Sequence, residues 1–265
     1  MRSNGSFLGA PVAIVMTDRT LRARNITKQF DGVTALAEVT LEVERGSIHG
    51  IVGPNGAGKT TLLNVMSGFL PPTEGAVELN GRDVTRLTPQ KRVPLGLTRT
   101  FQNLRLFGGL TVRENVLLGQ HSRARTGFLS LWPFPTAGDR ELDREADHAL
   151  GIFGLTEYRK RRAATLPYGL QKQVEIARAI SAKPKLLLMD EPAAGMTGQE
   201  RVELVPRIRA LRDEGITVVI VEHDMDVIAS VCDVVTVLNF GRVLIEGSPA
   251  EALASDEVRT AYLGT

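Results

Sequence analysis

Apolar residues in the first fifth of the chain fall in short runs separated by turn residues, which is the pattern of β-strands. Residues 21–27, 39–43 and 48–52 form such runs, punctuated by Asp31-Gly32 and Arg45-Gly46. The run 48–52 is nearly all apolar, as a strand buried on both faces of a parallel sheet must be. Residues 58–69 read instead as a helix, ended by Gly68 and the Pro71-Pro72 pair. From 104 to 166 the pattern changes to charged helical segments, notably 139–153, joined by a loop at 128–136 that carries Trp132, Pro133 and Pro135. This predicts an inserted helical subdomain over about 104–182. Beyond it, strands at 185–190, 216–221 and 234–238 alternate with helices at 198–214 and 224–231. Such alternation implies a mostly parallel sheet covered by helices on both faces. The expected fold class is therefore α/β, with an antiparallel β region beside the parallel core and the helical subdomain inserted into it.

Length and composition change this picture little. A chain of 265 residues accommodates one large domain with a subdomain, placed here at 21–265. Hydrophobic residues at 43% and charged residues at 23% match folded globular proteins and exclude general disorder. With 32 basic and 30 acidic residues the net charge is +2, far from the basic footprint of a nucleic-acid binder, so no nucleic-acid partner is expected. Cys232 is the single cysteine, which rules out an internal disulfide and fits a reducing, intracellular compartment. The apolar run 7–16 is half the length of a membrane span and is broken by Gly9 and Pro11. Residues 1–20 are expected to be a leader, either disordered or read from a start upstream of Met16.

The chemistry is concentrated in two motifs. Gly53-Pro54-Asn55-Gly56-Ala57-Gly58-Lys59-Thr60 fills the Walker A pattern and lies between a buried strand and a helix, the context that the motif requires. Glycines let the loop curl so that backbone N–H groups face inward, and the helix start adds its partial positive charge. Lys59 is expected to reach the β- and γ-phosphates of ATP, and the Thr60 hydroxyl to ligate Mg2+; Thr61 completes the cradle. The second motif is the apolar run 186–189 ending in Asp190 and Glu191, which places both carboxylates at the carboxyl edge of the sheet. Asp190 suits a hold on magnesium, and Glu191 suits orienting or deprotonating the attacking water. Together the two motifs define a P-loop NTPase core.

The residues between and after these motifs resemble those of the ABC ATPases, from about Leu21 to the C-terminus. Thr100-Phe101-Gln102-Asn103 is similar to the Q-loop, which implies that Gln102 touches magnesium or the lytic water. Leu166-Pro167-Tyr168-Gly169-Leu170 resembles the signature at the start of a helix, with Pro167 and Leu170 in place of serine and glutamine; Pro167 is expected in the first helical turn. Tyr168 and Gly169 would then meet a nucleotide held by a second subunit. Val221-Glu222-His223-Asp224 resembles the H-loop, with His223 on the γ-phosphate, and Phe30 resembles the aromatic that stacks on adenine. Ala193-Ala194-Gly195-Met196-Thr197 stands in the D-loop place, with Ala194 and Thr197 where many members carry serine and aspartate.

Within the family, the segments 101–107 and 110–116, the 127–136 insertion, Tyr168, Pro192 to Gly195 and the ending 259–264 look most like the ATPases of branched-chain amino-acid importers. The resemblance implies a homo- or heterodimer of ATPase subunits closing on two ATP molecules, two membrane permeases, a separate solute-binding protein, and a place on the cytoplasmic face of the cell membrane. The permease groove is expected around 102–114, with Leu104, Leu106, Phe107 and Leu110 as its apolar contacts. Similar ATPases serve urea, amide or lipopolysaccharide transport. A DNA-repair or translation clamp of the same family is disfavoured, because no sustained heptads or second cassette are present.

Overall fold

The structure, a computed structural model, describes residues 19–102, 104–121 and 137–263. Two sheets form the frame. A four-stranded antiparallel sheet contains β1 (Arg19–Phe30), β2 (Val33–Glu44), β4 (Glu74–Leu79) and β5 (Arg82–Asp83) in the order β2-β1-β4-β5. The second sheet contains β3 (Ile48–Val52), β6 (Leu97–Arg99), β7 (Leu186–Asp190), β8 (Thr217–Val221), β9 (Val234–Asn239) and β10 (Arg242–Gly247), in the order β10-β9-β3-β8-β7-β6. All its pairings are parallel except β10 with β9.

The parallel strands explain how one sheet supports two cores. Side chains alternate between faces along a strand, so Leu187 and Met189 of β7 and Val218 and Ile220 of β8 pack on the helical lobe. Leu186, Leu188, Val219 and Val221 point the other way, onto β1, β2 and helix α1 (Lys59–Ser67). Every position of β3, β7 and β8 is buried. With both faces filled, the open polar positions are at the strand ends, where loops carry the site.

After the short helix α2 (Pro89–Arg92), the inserted lobe consists of α3 (Val112–Leu118), α4 (Ala137–Ile152) and α5 (Tyr168–Ile180). A capping box between Thr111 and Glu114 starts α3. Val112, Val116, Ala146, Ala149, Leu150, Phe153, Val174 and Ala177 close the lobe over the sheet. Helices α6 (Gly198–Asp213) and α7 (Met225–Val231) complete that layer.

Several sequence expectations change. The first strand begins at Arg19, so residues 19 and 20 are sheet and not leader; Thr20 is buried and its hydroxyl meets that of Thr217 at 3.0 Å. The rest of the 1–20 leader, Asn103, the 128–136 loop and Gly264 lie outside the described residues. Strands β4, β5, β6 and β10 were not expected, since each is short or carries polar residues that mask its alternation. Pro167 precedes α5 as its N-cap residue, with extended ψ of 151°, and does not sit in the first turn.

Candidate nucleotide site

The loop from Gly53 to Gly58 joins β3 to α1, and its shape depends on two glycines. Gly53 has φ of +151° and a Cβ there would lie 2.2 Å from the Leu238 carbonyl oxygen. Gly58 has φ of +101° and a Cβ there would lie 2.8 Å from the Ala35 oxygen. Neither backbone conformation nor space admits a side chain. The loop is tied from below by the Gly241 amide, which donates to the Ala57 carbonyl at 3.0 Å. Asn55, Gly56 and Thr60 are exposed at its mouth, while Pro54 and Thr61 are half-buried.

Lys59 is buried, and its Nζ donates to the carbonyls of Gly53 at 2.6 Å and Pro54 at 2.9 Å. Burial pushes its pKa down, opposed by the negative charges of Glu191 and Asp190. The lysine of the loop therefore feels the two carboxylates at the tip of β7. Asp190 is buried and accepts from Arg99 Nη2 at 2.8 Å. The same guanidinium donates to Asn64 Oδ1 at 2.7 Å and Ser67 Oγ at 2.8 Å on α1, and it lies about equally far from the Phe69 and Phe101 rings. One buried cation thus locks the end of β7 to the P-loop helix.

Glu191 leaves the strand with φ of +48°, in the left-handed region that costs a non-glycine residue energy and recurs at functional sites. Its amide donates to the Val221 carbonyl at 2.8 Å, which holds the turn against the end of β8. Its Oε2 accepts from Gln102 Nε2 at 2.9 Å, and His223 Nδ1 stands 3.9 Å from Oε1. Gln102, Glu191 and His223, far apart in sequence, therefore meet at one edge, beside Asp190 and Lys59. Glu222, next to His223, is wholly buried and accepts from the amides of Ala193 at 2.7 Å and His223 at 3.1 Å. Burial raises its pKa, and those amide bonds oppose the shift.

The remaining candidates lie elsewhere. Phe30 ends β1 at the 31–32 turn, partly exposed, with Lys28 Nζ 5.1 Å above its ring. Tyr168 packs its ring on Gly195, where a Cβ would lie 2.9 Å away, and Gly169 faces the Glu200 carboxylate. Tyr168 thus lies against the loop after Glu191 and Gly169 against the first turn of α6, rather than against the P-loop of the same chain. Thr197 caps α6 through a capping box with Glu200. Sequence reading missed Arg99, Lys172 and Glu222. The available signal was weak: a lone charge closing a short strand, or set in an otherwise apolar stretch.

Comparison with known proteins decides the family. Residues 36–194 match the model described as ABC transporter. The chain belongs to the ABC transporter family. It is 40% identical over 254 residues to the high-affinity branched-chain amino acid transport ATP-binding protein BraF of Pseudomonas aeruginosa, covering 94% of this chain and 99% of that protein. Its fold matches the ADP conformation of MJ1267, an ATP-binding cassette of an ABC transporter, with a TM-score of 0.82, 33% identity, and coverage of 93% and 99%. It also matches the dimeric structure of MJ0796, a bacterial ABC transporter cassette, with a TM-score of 0.73, 27% identity, and coverage of 86% and 98%. This ABC protein is an ATP-binding subunit, and its reaction is ATP hydrolysis. Among the described residues no helix is long and apolar enough to cross a membrane.

Proposed function

We propose that this subunit energises import of branched-chain amino acids, working as one of two ATPase subunits beneath a pair of permeases at the cytoplasmic face of the membrane. The supporting observation for the motor is the meeting of Gln102, Asp190, Glu191 and His223 at the sheet edge that carries the Walker loop. Residues 53–61 cradle the triphosphate through backbone N–H groups, with Lys59 on the β- and γ-phosphates. Phe30 stacks on adenine with its exposed face. Glu191 orients the attacking water and takes its proton, while the Gln102 amide and the His223 ring fix the carboxylate and the γ-phosphate.

The oxygen donors present suit a magnesium ion shared with the nucleotide. Among the described residues no three His, Cys, Asp or Glu side chains gather into a metal cage. Thr60, Gln102 and Asp190 instead offer the few oxygen contacts that a hard, partly hydrated cation takes from protein when phosphates supply others. When bound, magnesium neutralises charge on the phosphates. Tyr168 and Gly169, at the exposed start of α5, serve the nucleotide of the second subunit, a reading favoured by their separation from the chain's own P-loop and by the dimeric cassette of similar fold.

The permease surface is a cavity of about 470 Å³ between β6, α3 and α5, lined by Phe101, Phe107, Leu118 and Ala179 among others. Leu106 is half-buried against the core, so the exposed contacts are Phe107 at 59% and Leu118 at 39%. The cargo reading rests on the 40% identity to the named amino-acid transport subunit. Reconstitution with the cognate permeases and binding protein tests it: leucine, isoleucine or valine should stimulate ATP consumption. Stimulation by urea or an amide alone would replace the cargo, and no hydrolysis under any condition would remove the motor.

A further inference from the structure

Helix α5 grips the backbone of the segment that carries Gln102. Lys172, Glu175 and Arg178 follow one another at three-residue intervals and lie on one side of the helix. Glu175 Oε1 accepts from the Phe101 amide at 3.3 Å, Lys172 Nζ donates to the Gln102 carbonyl at 2.5 Å, and Arg178 Nη1 donates to the Arg105 carbonyl at 2.5 Å. Residues 101, 102 and 104–107 form no helix or strand, so these side chains set where their backbone runs. The side chain of Gln102 in turn donates to Glu191.

Lys172 is the central member of this grip and the least expected. It is 2% exposed, and burial pushes its pKa down while the carboxylates of Glu175, Asp190, Glu222 and Glu191 oppose the shift. Lysine is almost never fully buried unless paired, and an apolar residue would fill the same space without the desolvation cost. Its ammonium satisfies a carbonyl at the back of the loop and places one positive charge behind the acidic edge. Lys172 also stands one turn from Tyr168 and Gly169, the part of α5 assigned above to the second subunit.

We propose that Lys172 is a positioning residue for hydrolysis, holding Gln102 onto Glu191 by its carbonyl and tying the start of α5 to the catalytic edge of its own subunit. This rests on the dimeric ATPase reading above. A shift of the partner-facing helix end is passed to Gln102 through one hydrogen bond, which links the two nucleotide sites of the dimer without a residue that touches both.

The test uses the full chain assembled with its permeases and binding protein. K172M should lower kcat at least about tenfold, the penalty of a misplaced catalytic group, and the isolated subunit should bind ATP within about twofold of the parent. K172R, which keeps the charge and the donor, should recover most of the rate. The Hill coefficient for ATP should fall from about two toward one in K172M. If K172M does not fold by thermal melt, K172Q carries the same expectations. A K172M rate within about twofold of the parent, equal losses in ATP binding and kcat, or no recovery in K172R overturns the proposal. Parent assembly turnover separates the two failures: without it the motor reading falls and takes this proposal with it, whereas with it only the role of Lys172 is at stake.

Discussion

In the parallel sheet, β3, β7 and β8 are buried at every position, whereas α4 of the inserted lobe buries a stripe that includes Ala146, Ala149 and Leu150 and turns Asp147 and His148 to solvent. The same ionic chemistry has different weight in the two places. Arg99 and Asp190 form a pair with 6% of each side chain exposed, while Arg113 reaches Asp143 and Asp147 with 30%, 51% and 52% exposed. In the sheet a charge must have a fixed partner, because water cannot serve it. On the outer face of α4 water competes for the charges of Arg113, Asp143 and Asp147, and the pairs add little. The sheet edge thus fixes Asp190 through a partner shielded from water, and the outer face of α4 presents a solvated surface.

The largest test of this contrast is catalytic. E191Q should lower steady-state ATP hydrolysis by about 100-fold or more, the scale of a lost general base, while a fluorescent ATP analogue binds as before. Undiminished turnover would place the base elsewhere. Next, R99L should destabilise the domain by about 3–5 kcal/mol in urea unfolding, since Asp190 would be left buried without its cation. A loss under about 1 kcal/mol would show that the sheet edge tolerates charge as the surface does.

A third test uses His49, buried in β3 with Nε2 at 2.8 Å from the Thr236 hydroxyl. Burial pushes its pKa from 6.5 down to about 4. The folded form keeps the ring neutral while the unfolded chain protonates, so this contribution is present above pH 6.5 and is lost as pH falls toward 4. The loss should approach about 3 kcal/mol. Unfolding free energies from urea titration at pH 7 and 4.5 should differ by most of that amount more in the parent than in H49Q; equal pH slopes would contradict it. The smallest effect belongs to the lobe: R113A should cost less than about 1 kcal/mol, and a larger loss would mean that the lobe relies on its ion pairs.

How much was legible varies with the kind of signal. The Walker loop and the Asp190-Glu191 strand tip are local patterns, and both were found where periodicity put them. Gln102 and His223 needed a family likeness, because a single glutamine or histidine has no local signature. Arg99, Lys172 and Glu222 were not legible, since each acts through a partner 29 or more residues away in the chain: Asp190, Gln102 and Ala193. Pro167 was placed one position too far inside its helix because a proline is accommodated equally at a first turn or just before it.

The buried strands β3, β7, β8 and β9 with the helices that alternate with them, the phosphate loop and the two acidic residues at a strand end follow from sequence alone, because each depends on neighbours within a few positions. The meeting of Gln102, Glu191 and His223, the burial of Arg99 against Asp190, and the grip of α5 on the backbone of Phe101, Gln102 and Arg105 were decided only in three dimensions. Those contacts depend on which strands lie side by side and how the lobe closes over them. That is a property of packing, and a one-dimensional pattern does not encode it.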